Sequence, residues 1–480
     1  MAELNEAALA LSSQNQTAAA LARGPWRKFV AGLPEDKKPL VAFLMENQRK
    51  WLEGLDEETR VANIGSFEKF IFPMIKGVYP NLVSTELVSV QPMQSPTSLI
   101  FFRDSRFGTS KGAVKAGDSL FSARTGWNDA SGFNYSSEIV QGETLGVGAG
   151  SAALTPLGTT PGTKAAFTII RPGSLVISYT ASDHAVKTLT DDGVGGVIGA
   201  AGELESSGNS VNYSTGYILL TFATGKGPDA QPITGTYDYN SEGAGDLVPQ
   251  VDIMLTSIPV ISRPRKLRAR WSIEAAAQLK SVRGMEAETE IVTDMANEMR
   301  IEVDREIIND LLMMANANNT SQVIPETTFT KSAPSNVALY LHRQSFIYSL
   351  IEASNKIFHA TRRHRANWIL CGITVANIIM GQEGAQFQSA GTIQGSGVQY
   401  IGTIQNMFKV FMDPYLDMDT AIVGYKGDSF LDAGYVYAPW IPFYATPTIY
   451  LDDFMGRKGL LTHYAKKPVN GLFYGKIRLT

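Results

Sequence analysis

Few residues of this sequence have the type and spacing that catalysis or metal binding requires. The 480-residue chain has five histidines and a single cysteine, Cys371. His359 and His364 are five positions apart, so they do not share one helical face as a two-histidine metal pair does. Cys371 lies in an apolar, strand-like run typical of a protein core, and one cysteine excludes an intrachain disulfide and a multi-cysteine zinc site. The sequence therefore predicts no catalytic residue, no metal and no cofactor, and it indicates that the protein is not an enzyme.

Two glycine-rich segments are candidates for phosphate binding, and both depart from the motifs they resemble. Gly146 to Ser151 lacks the third glycine of a dinucleotide loop, and no helical pattern follows it. Thr224 to Gly227 has Leu220 where a phosphate-binding loop needs its first glycine. A linker and a hairpin turn are the preferred interpretations. The arginines beside His359 and His364 fit a helix carboxyl terminus, with nucleic-acid contact as a weaker alternative.

The clearest chemical pattern is a row of acids in a long helical segment. Nine acids and two bases lie between positions 285 and 315, and seven of the acids recur at intervals of four. Side chains four apart are neighbours on a helix, and like charges there destabilise it by roughly 0.2–0.5 kcal/mol per pair. The row consists of Glu286, Glu290, Asp294, Glu298, Glu302, Glu306 and Asp310.

A basic segment precedes this row and could be its electrostatic partner. Five bases lie within eight residues, namely Arg263, Arg265, Lys266, Arg268 and Arg270. In an extended chain Lys266, Arg268 and Arg270 share one face. Three interpretations stay open: two solvated surfaces, a charge-matched contact within or between subunits, or an acidic surface that repels packed DNA. The twelve residues of the two segments are the candidate subunit-interface residues.

Composition and patterning indicate a large structural protein. Hydrophobic residues make up 44% of the chain and charged residues only 18%, which suggests that much of its surface is covered by other protein. The net charge of −4 does not fit a basic nucleic-acid binder, and no apolar run approaches the ~18 residues of a membrane span. Residues 1–60 have a polar helical pattern, 150–245 have the short strands and dense turns of a small β domain, and 339–443 alternate helices and strands.

Three stretches resemble the major head protein of T-even-type tailed bacteriophages. They are Val61 to Phe102, with Val90-Gln-Pro-Met-Gln-Ser-Pro96; Ser262 to Leu311, with Trp271-Ser-Ile-Glu-Ala275 and Gly284-Met-Glu-Ala-Glu288; and Gly402 to Phe443, with Val423-Gly-Tyr-Lys-Gly427 and Asp432-Ala-Gly-Tyr-Val-Tyr-Ala-Pro439. The resemblance implies an α+β chain with the Hong Kong 97-type phage capsid fold and an inserted small all-β domain.

The resemblance also implies a division of the chain. An amino-terminal arm is expected at 1–60, an extended loop at 99–149 and 246–270, and a carboxy-terminal return at 444–480. The peripheral domain would comprise 61–98 and 271–338 with a spine helix at 285–316. The inserted β domain would occupy 150–245, and the axial domain would occupy 339–443 with 381–397 as a loop near the capsomer axis.

The expected function is that of a major capsid protein, assembled in the host cytoplasm into hexamers and pentamers of an icosahedral virion head. Such a shell encloses double-stranded DNA without specific binding. Scaffold and portal proteins are expected partners, with a decoration protein and a maturation protease as further candidates. Leu44-Met-Glu46 resembles the family's cleavage site, so Glu46 is a candidate cleavage position. Two alternatives stay open: a vertex paralogue that forms only pentamers, and a virion protein whose β domain binds a host glycan.

Overall fold

The computed structural model describes most of the chain. The described residues are 16–35, 37–55, 82–111, 114–121, 134–147, 156–157, 163–165, 167, 169–181, 183–200, 202–204, 208–223, 228, 232–243, 248–284, 287–335, 337–382, 387–390, 397–427, 432–446, 448–450 and 454–480. The first half of the resemblance stretch from Val61 to Phe102, residues 61–81, lies outside these residues, as do Glu286 and most of the 381–397 loop.

The chain divides into two compact units. The main unit comprises 1–103 and 255–480, and the β unit comprises 104–254. The helices are α1 (Arg27–Val30), α2 (Lys38–Leu55), α3 (Ser84–Leu87), α4 (Ile273–Arg283), α5 (Ala287–Thr320), α6 (Leu339–Gln344), α7 (Phe346–Thr361) and α8 (Ile373–Met380). All of them belong to the main unit, so helices and strands together make the chain α+β.

The strands of the main unit form two sheets. These strands are β1 (Ser89–Val90), β13 (Arg263–Ser272), β14 (Thr327–Phe329), β15 (Trp368–Cys371), β16 (Phe387–Ser389), β17 (Gln399–Ile404), β18 (Phe408–Met412), β19 (Thr420–Gly424), β20 (Tyr435–Ala445), β21 (Ile449–Tyr450), β22 (Met455–Pro468) and β23 (Tyr474–Leu479). The first sheet has the order β1-β20-β22-β13, with β21 paired to β22, and the second has the order β14-β23-β19-β15-β18-β17-β16. Two further strands, β2 (Thr97–Phe107) and β12 (Val251–Ile261), pair with each other.

Helix α5 packs against β13 and β22 of the first sheet and against β23 of the second, and local sequence sets where it begins. Ser272 caps α4 by accepting a hydrogen bond from the backbone N–H of Ala275, and Gly284 ends α4 in the left-handed conformation with φ 68°. Only glycine adopts that conformation without strain, so the chain turns there before α5 starts. Helix α5 has 34 residues, and at 1.5 Å per residue it is about 51 Å long.

The amino-terminal helices are part of the main core, where the sequence predicted an arm. Trp26, Val41, Leu44 and Met45 are buried in one cluster with Ile307 of α5 and residues of β20. The apolar spacing of three and four in α2 indicates an amphipathic helix, and its apolar face meets the sheet and α5. The described residues between 26 and 45 therefore contribute a packed layer rather than an extended segment.

The β unit has its own hydrophobic core. Its strands are β3 (Ile139–Val147), β4 (Pro156–Leu157), β5 (Thr163–Lys164), β6 (Val176–Thr180), β7 (Val186–Asp191), β8 (Val197–Ile198), β9 (Ser210–Asn212), β10 (Tyr217–Thr221) and β11 (Pro232–Asp238). They form the five-stranded sheet β3-β11-β6-β7-β8 and a four-stranded sheet in which β4, β5 and β9 all pair with β10. Strand β3 was expected in the extended loop, but it pairs with β11, so this unit begins before position 150.

Candidate subunit interface

The acidic row of α5 divides into two parts that meet different surroundings. A row spaced by four on a helix of 3.6 residues per turn rotates by about 40° at each step, so it winds slowly around the helix. Its last three members, Glu302, Glu306 and Asp310, bond to cations of the neighbouring strands. Glu290, Asp294 and Glu298 are exposed.

A network of ion pairs joins the second part of the row to strands β13 and β22. Arg265 reaches Glu302 at 2.7 Å and Glu306 at 2.5 Å. Lys466 reaches Glu306 at 2.8 Å and Asp310 at 2.6 Å. Because two cations bridge three acids, the repulsion that the sequence predicts along this part of the helix is compensated within the chain.

Two tyrosines complete this network. The Tyr464 hydroxyl donates a hydrogen bond to Glu306 and accepts one from Arg265 Nε at 2.6 Å. Burial alone would raise the pKa of Glu306, but Lys466, Tyr464 and Arg265 together lower it to about 2. The Tyr435 hydroxyl donates to Asp310 at 2.7 Å. Glu306 therefore stays ionised at neutral pH and fixes α5 against the edge of the sheet.

The remaining bases of β13 point the other way. Arg265, Leu267 and Ala269 face α5, because Arg265 bonds its acids and the two apolar residues pack with its methionines. Lys266, Arg268 and Arg270 alternate with them and are exposed on the opposite side of the sheet. We call these three residues the basic face. Strand β13 is the last strand of its sheet, so the basic face lies on an edge strand.

The first part of the helical row has no charge partner among the residues that the structure describes. No cation of those residues lies within ion-pair distance of Glu290, Asp294 or Glu298, and we call these three residues the exposed acidic row. Glu290 lies in the first turn of α5, where the helix dipole favours an acid. Asp294 and Glu298 lie beyond that turn, so the dipole does not account for them.

Two acids of the same region have roles that sequence reasoning missed. Asp413 has a fully buried side chain and forms an ion pair with Arg305 of α5. Asp304 is buried and accepts hydrogen bonds from the backbone N–H of Ser84, at 3.0 Å, and from its hydroxyl. Burial raises the pKa of Asp304 to about 6, although Ser84 opposes the rise. The only sequence signal for Asp304 is that it lies outside the four-residue spacing of the other acids.

The candidates for chemistry occupy structural positions. Cys371 is fully buried in β15, and burial raises the pKa of its thiol. His364 bonds to Asp432 at 2.8 Å and stacks on Tyr425. His359 lies in the last turn of α7. Among the described residues no group of three or more histidines, cysteines and acids could hold a metal ion.

Glu46, the candidate cleavage position, lies inside helix α2. Its carboxylate accepts a hydrogen bond from Trp26 Nε1 at 3.0 Å and pairs with Arg49 at 2.6 Å, and the Arg49 guanidinium lowers its pKa. The preceding Leu44 and Met45 are completely buried. Backbone cleavage after Glu46 would therefore require α2 to leave the core first.

The match with a family model shows which class of protein this is. Residues 64–476 match the model described as "Major capsid protein Gp23", so the chain belongs to this family of phage major capsid proteins. Curated major capsid proteins of Vibrio phage KVP40 and Serratia phage KSP90 are 23% and 22% identical to it. The alignment with the Vibrio phage protein covers 80% of this chain and 71% of that protein. The alignment with the Serratia phage protein covers 92% of this chain and 88% of that protein. The protein of Enterobacteria phage T4 is 22% identical over 77% of this chain and 69% of its own.

Solved phage structures are similar over about half of the chain. Mycobacterium phage Che8 matches with a TM-score of 0.32 and 14% identity, over 50% of this chain and 79% of that chain. The structure titled "The capsid of Myoviridae Phage XM1" has a TM-score of 0.30 and 10% identity, with 48% and 78% covered. As a major capsid protein, the chain is a component of the virion. Among the described residues, no helix is long and apolar enough to span a membrane.

Proposed function

We propose that copies of this chain assemble into hexamers and pentamers, which close into the icosahedral head of a tailed phage around double-stranded DNA. The family supports a capsid role, and helix α4 carries the proposal of self-assembly. This helix has 11 residues, and, leaving aside the side chain of Arg283, none of them is buried in the single chain. Isolated helices of this length are marginal in water, because most helical stability comes from packing. We therefore expect neighbouring copies to cover α4.

Exposed apolar side chains on α4 and on strand β12 support the same conclusion. The exposed fractions are 42% for Ile273, 38% for Leu279 and 79% for Val282. On β12, Ile253 and Ile261 are 66% and 70% exposed. Burying apolar surface contributes about 25 cal/mol per Å², so contacts through these residues would stabilise a shell in which each contact recurs many times.

We further propose that the main unit has the Hong Kong 97-type arrangement, with α5 as its spine helix and the β unit as an insertion. The length of α5 and the separate core of the β unit support this assignment. Scaffold, portal and decoration proteins are proposed partners on the basis of the family. If a maturation protease cuts at Glu46, cleavage would precede docking of α2, because the docked helix buries Leu44 and Met45.

Electron microscopy and sedimentation of the expressed chain, with and without a scaffold protein, test this function. We expect closed shells from the natural sequence. The variant Leu279→Ser with Val282→Ser should give at least about tenfold fewer shells, because it removes apolar surface from α4. The control Val186→Ser with Val194→Ser changes residues of the β unit that are 74% and 88% exposed, and it should assemble normally. A natural chain that stays monomeric under all salt and protein concentrations would overturn the proposal.

A further inference from the structure

The basic face brings like charges together on one side of the sheet. Arg270 lies directly opposite Arg457 on strand β22, and like charges in that position destabilise a sheet. Lys266 also lies close enough to His463 to lower the pKa of its imidazole further, in addition to the effect of burial. No acid of the described residues pairs with Lys266, Arg268 or Arg270. An anionic surface placed over this face would relieve the repulsion.

The exposed acidic row of the same copy cannot supply that surface. Helix α5 packs on the side of the sheet that Arg265, Leu267 and Ala269 face. The basic face lies on the other side of the same strand, so the sheet itself separates the two charged surfaces. A contact between them therefore requires two different molecules.

The two surfaces match in charge, number and spacing. Alternate residues of a strand are about 6.7 Å apart, so the three cations of the basic face span about 13 Å. Residues four apart on a helix are about 6 Å apart, so the three acids of the exposed acidic row span about 12 Å. Long lysine and arginine side chains can follow the slow rotation of the acids around the helix. Three ion pairs can therefore form side by side.

We infer that the basic face of one copy binds the exposed acidic row of the next copy. This inference rests on the proposed self-assembly and specifies one of its contacts. Because the two surfaces differ and lie on opposite sides of the sheet, the contact is head to tail. Contacts of this kind generate rings when the rotation between copies closes. The same contact thus serves rings of five and of six through a small change of angle.

Charge reversal and its compensation test the inference on the full chain. One variant carries Lys266→Glu, Arg268→Glu and Arg270→Glu, and a second carries Glu290→Lys, Asp294→Lys and Glu298→Lys. Each should lower the yield of closed shells at least about tenfold, since opposing like charges across an interface strongly disfavour binding. The chain that carries all six changes should recover to within about threefold of the natural yield, because the pairs are restored with opposite sign.

Two controls keep the outcomes distinct. The variant Arg27→Glu, Lys28→Glu and Lys115→Glu changes the net charge as much as the first variant, at exposed positions outside both surfaces, and should assemble normally. Thermal unfolding shows whether each variant folds. Should a reversed variant not fold, the neutral set Lys266→Gln, Arg268→Gln and Arg270→Gln replaces it, with a smaller loss expected. A mixture of the two reversed variants should form hexamers, in which the variants alternate, but not pentamers, because a ring of five cannot alternate without one like-charged contact.

Normal shells from either reversed variant, if it folds, would overturn the inference. It would also be overturned if the chain that carries all six changes failed to recover its yield of closed shells. A loss of DNA content with normal shells would assign the basic face to nucleic acid instead. The natural chain is tested as a separate sample, and its failure to assemble would refute the proposed function rather than this contact alone.

Discussion

A pair of double-mutant cycles measures which charges of α5 the chain compensates internally. The first cycle combines Arg265→Ala with Glu306→Ala, whose side chains lie 2.5 Å apart. The second combines Arg268→Ala with Glu298→Ala, which lie on opposite sides of the sheet. We expect energetic coupling in the first cycle and additive effects in the second, when both are measured on unassembled subunits.

The expected coupling follows from the geometry and exposure of the first pair. A pKa near 2 for Glu306, against an ordinary value of 4.5, would correspond to about 3 kcal/mol if the group were buried. The two side chains are 31% and 30% exposed, so solvent screening reduces the coupling to about 1 kcal/mol. Neither single change leaves a buried charge alone, because Lys466 still pairs with Glu306 and Glu302 still pairs with Arg265.

Urea unfolding followed by tryptophan fluorescence is a suitable assay. Five of the six tryptophans lie in the main unit, so the signal reports its unfolding. Additive effects for Arg265 with Glu306 would refute the internal network. Coupling between Arg268 and Glu298 in the unassembled subunit would refute the assignment of these residues to opposite sides of the sheet. Repeating the second cycle on assembled shells should reveal the coupling that the separate subunits lack.

Three further predictions concern buried acids and salt. Arg305→Ala should lower the free energy of unfolding by about 3–5 kcal/mol, because it leaves the buried Asp413 without its cation. Asp413→Asn should lower it less, since Arg305 is 33% exposed, and urea unfolding compares the two variants. Because the pKa of Asp304 is raised, the folded state binds the proton of this carboxyl more tightly than the unfolded state does. The contribution of Asp304 to the free energy of unfolding should therefore fall by about 3 kcal/mol as pH rises from about 4 to about 6. Asp304→Asn should remove this pH dependence in urea titrations across the same range. Shell assembly should weaken as salt rises from 0.1 to 1 M, since the screening length falls from about 10 to about 3 Å, and light scattering would show no salt dependence if charge matching were unimportant.

Local patterns in the sequence were sufficient to predict several elements. The long apolar repeat predicted a helix at 285–316, and the structure has α5 at Ala287–Thr320. The period of two predicted that Lys266, Arg268 and Arg270 share a face, and all three are exposed on one side of β13. The resemblance to T-even head proteins is confirmed by the family match. Each of these features depends on neighbours within a few residues or on short motifs.

The amino-terminal segment shows where local reasoning fails. Its polar composition suggested an arm, yet Leu44 and Met45 are completely buried against α5 and β20. Whether an amphipathic helix is an arm or a core layer depends on the presence of a matching apolar groove. The parts of that groove made by α5 and β20 lie more than 250 positions away, which no local pattern can reveal.

By itself, the sequence determined the charges, their periods and the family to which the chain belongs. Only the tertiary structure decided which charges meet. Lys466 compensates Glu306 and Asp310 because β22 pairs with β13 beside α5, more than 150 residues further along the chain. The same pairing turns Arg265 towards the helix and the basic face away from it, because strand side chains alternate between the two sides of a sheet. An evenly spaced acidic row is thereby divided into an internally paired part and a part available to another molecule.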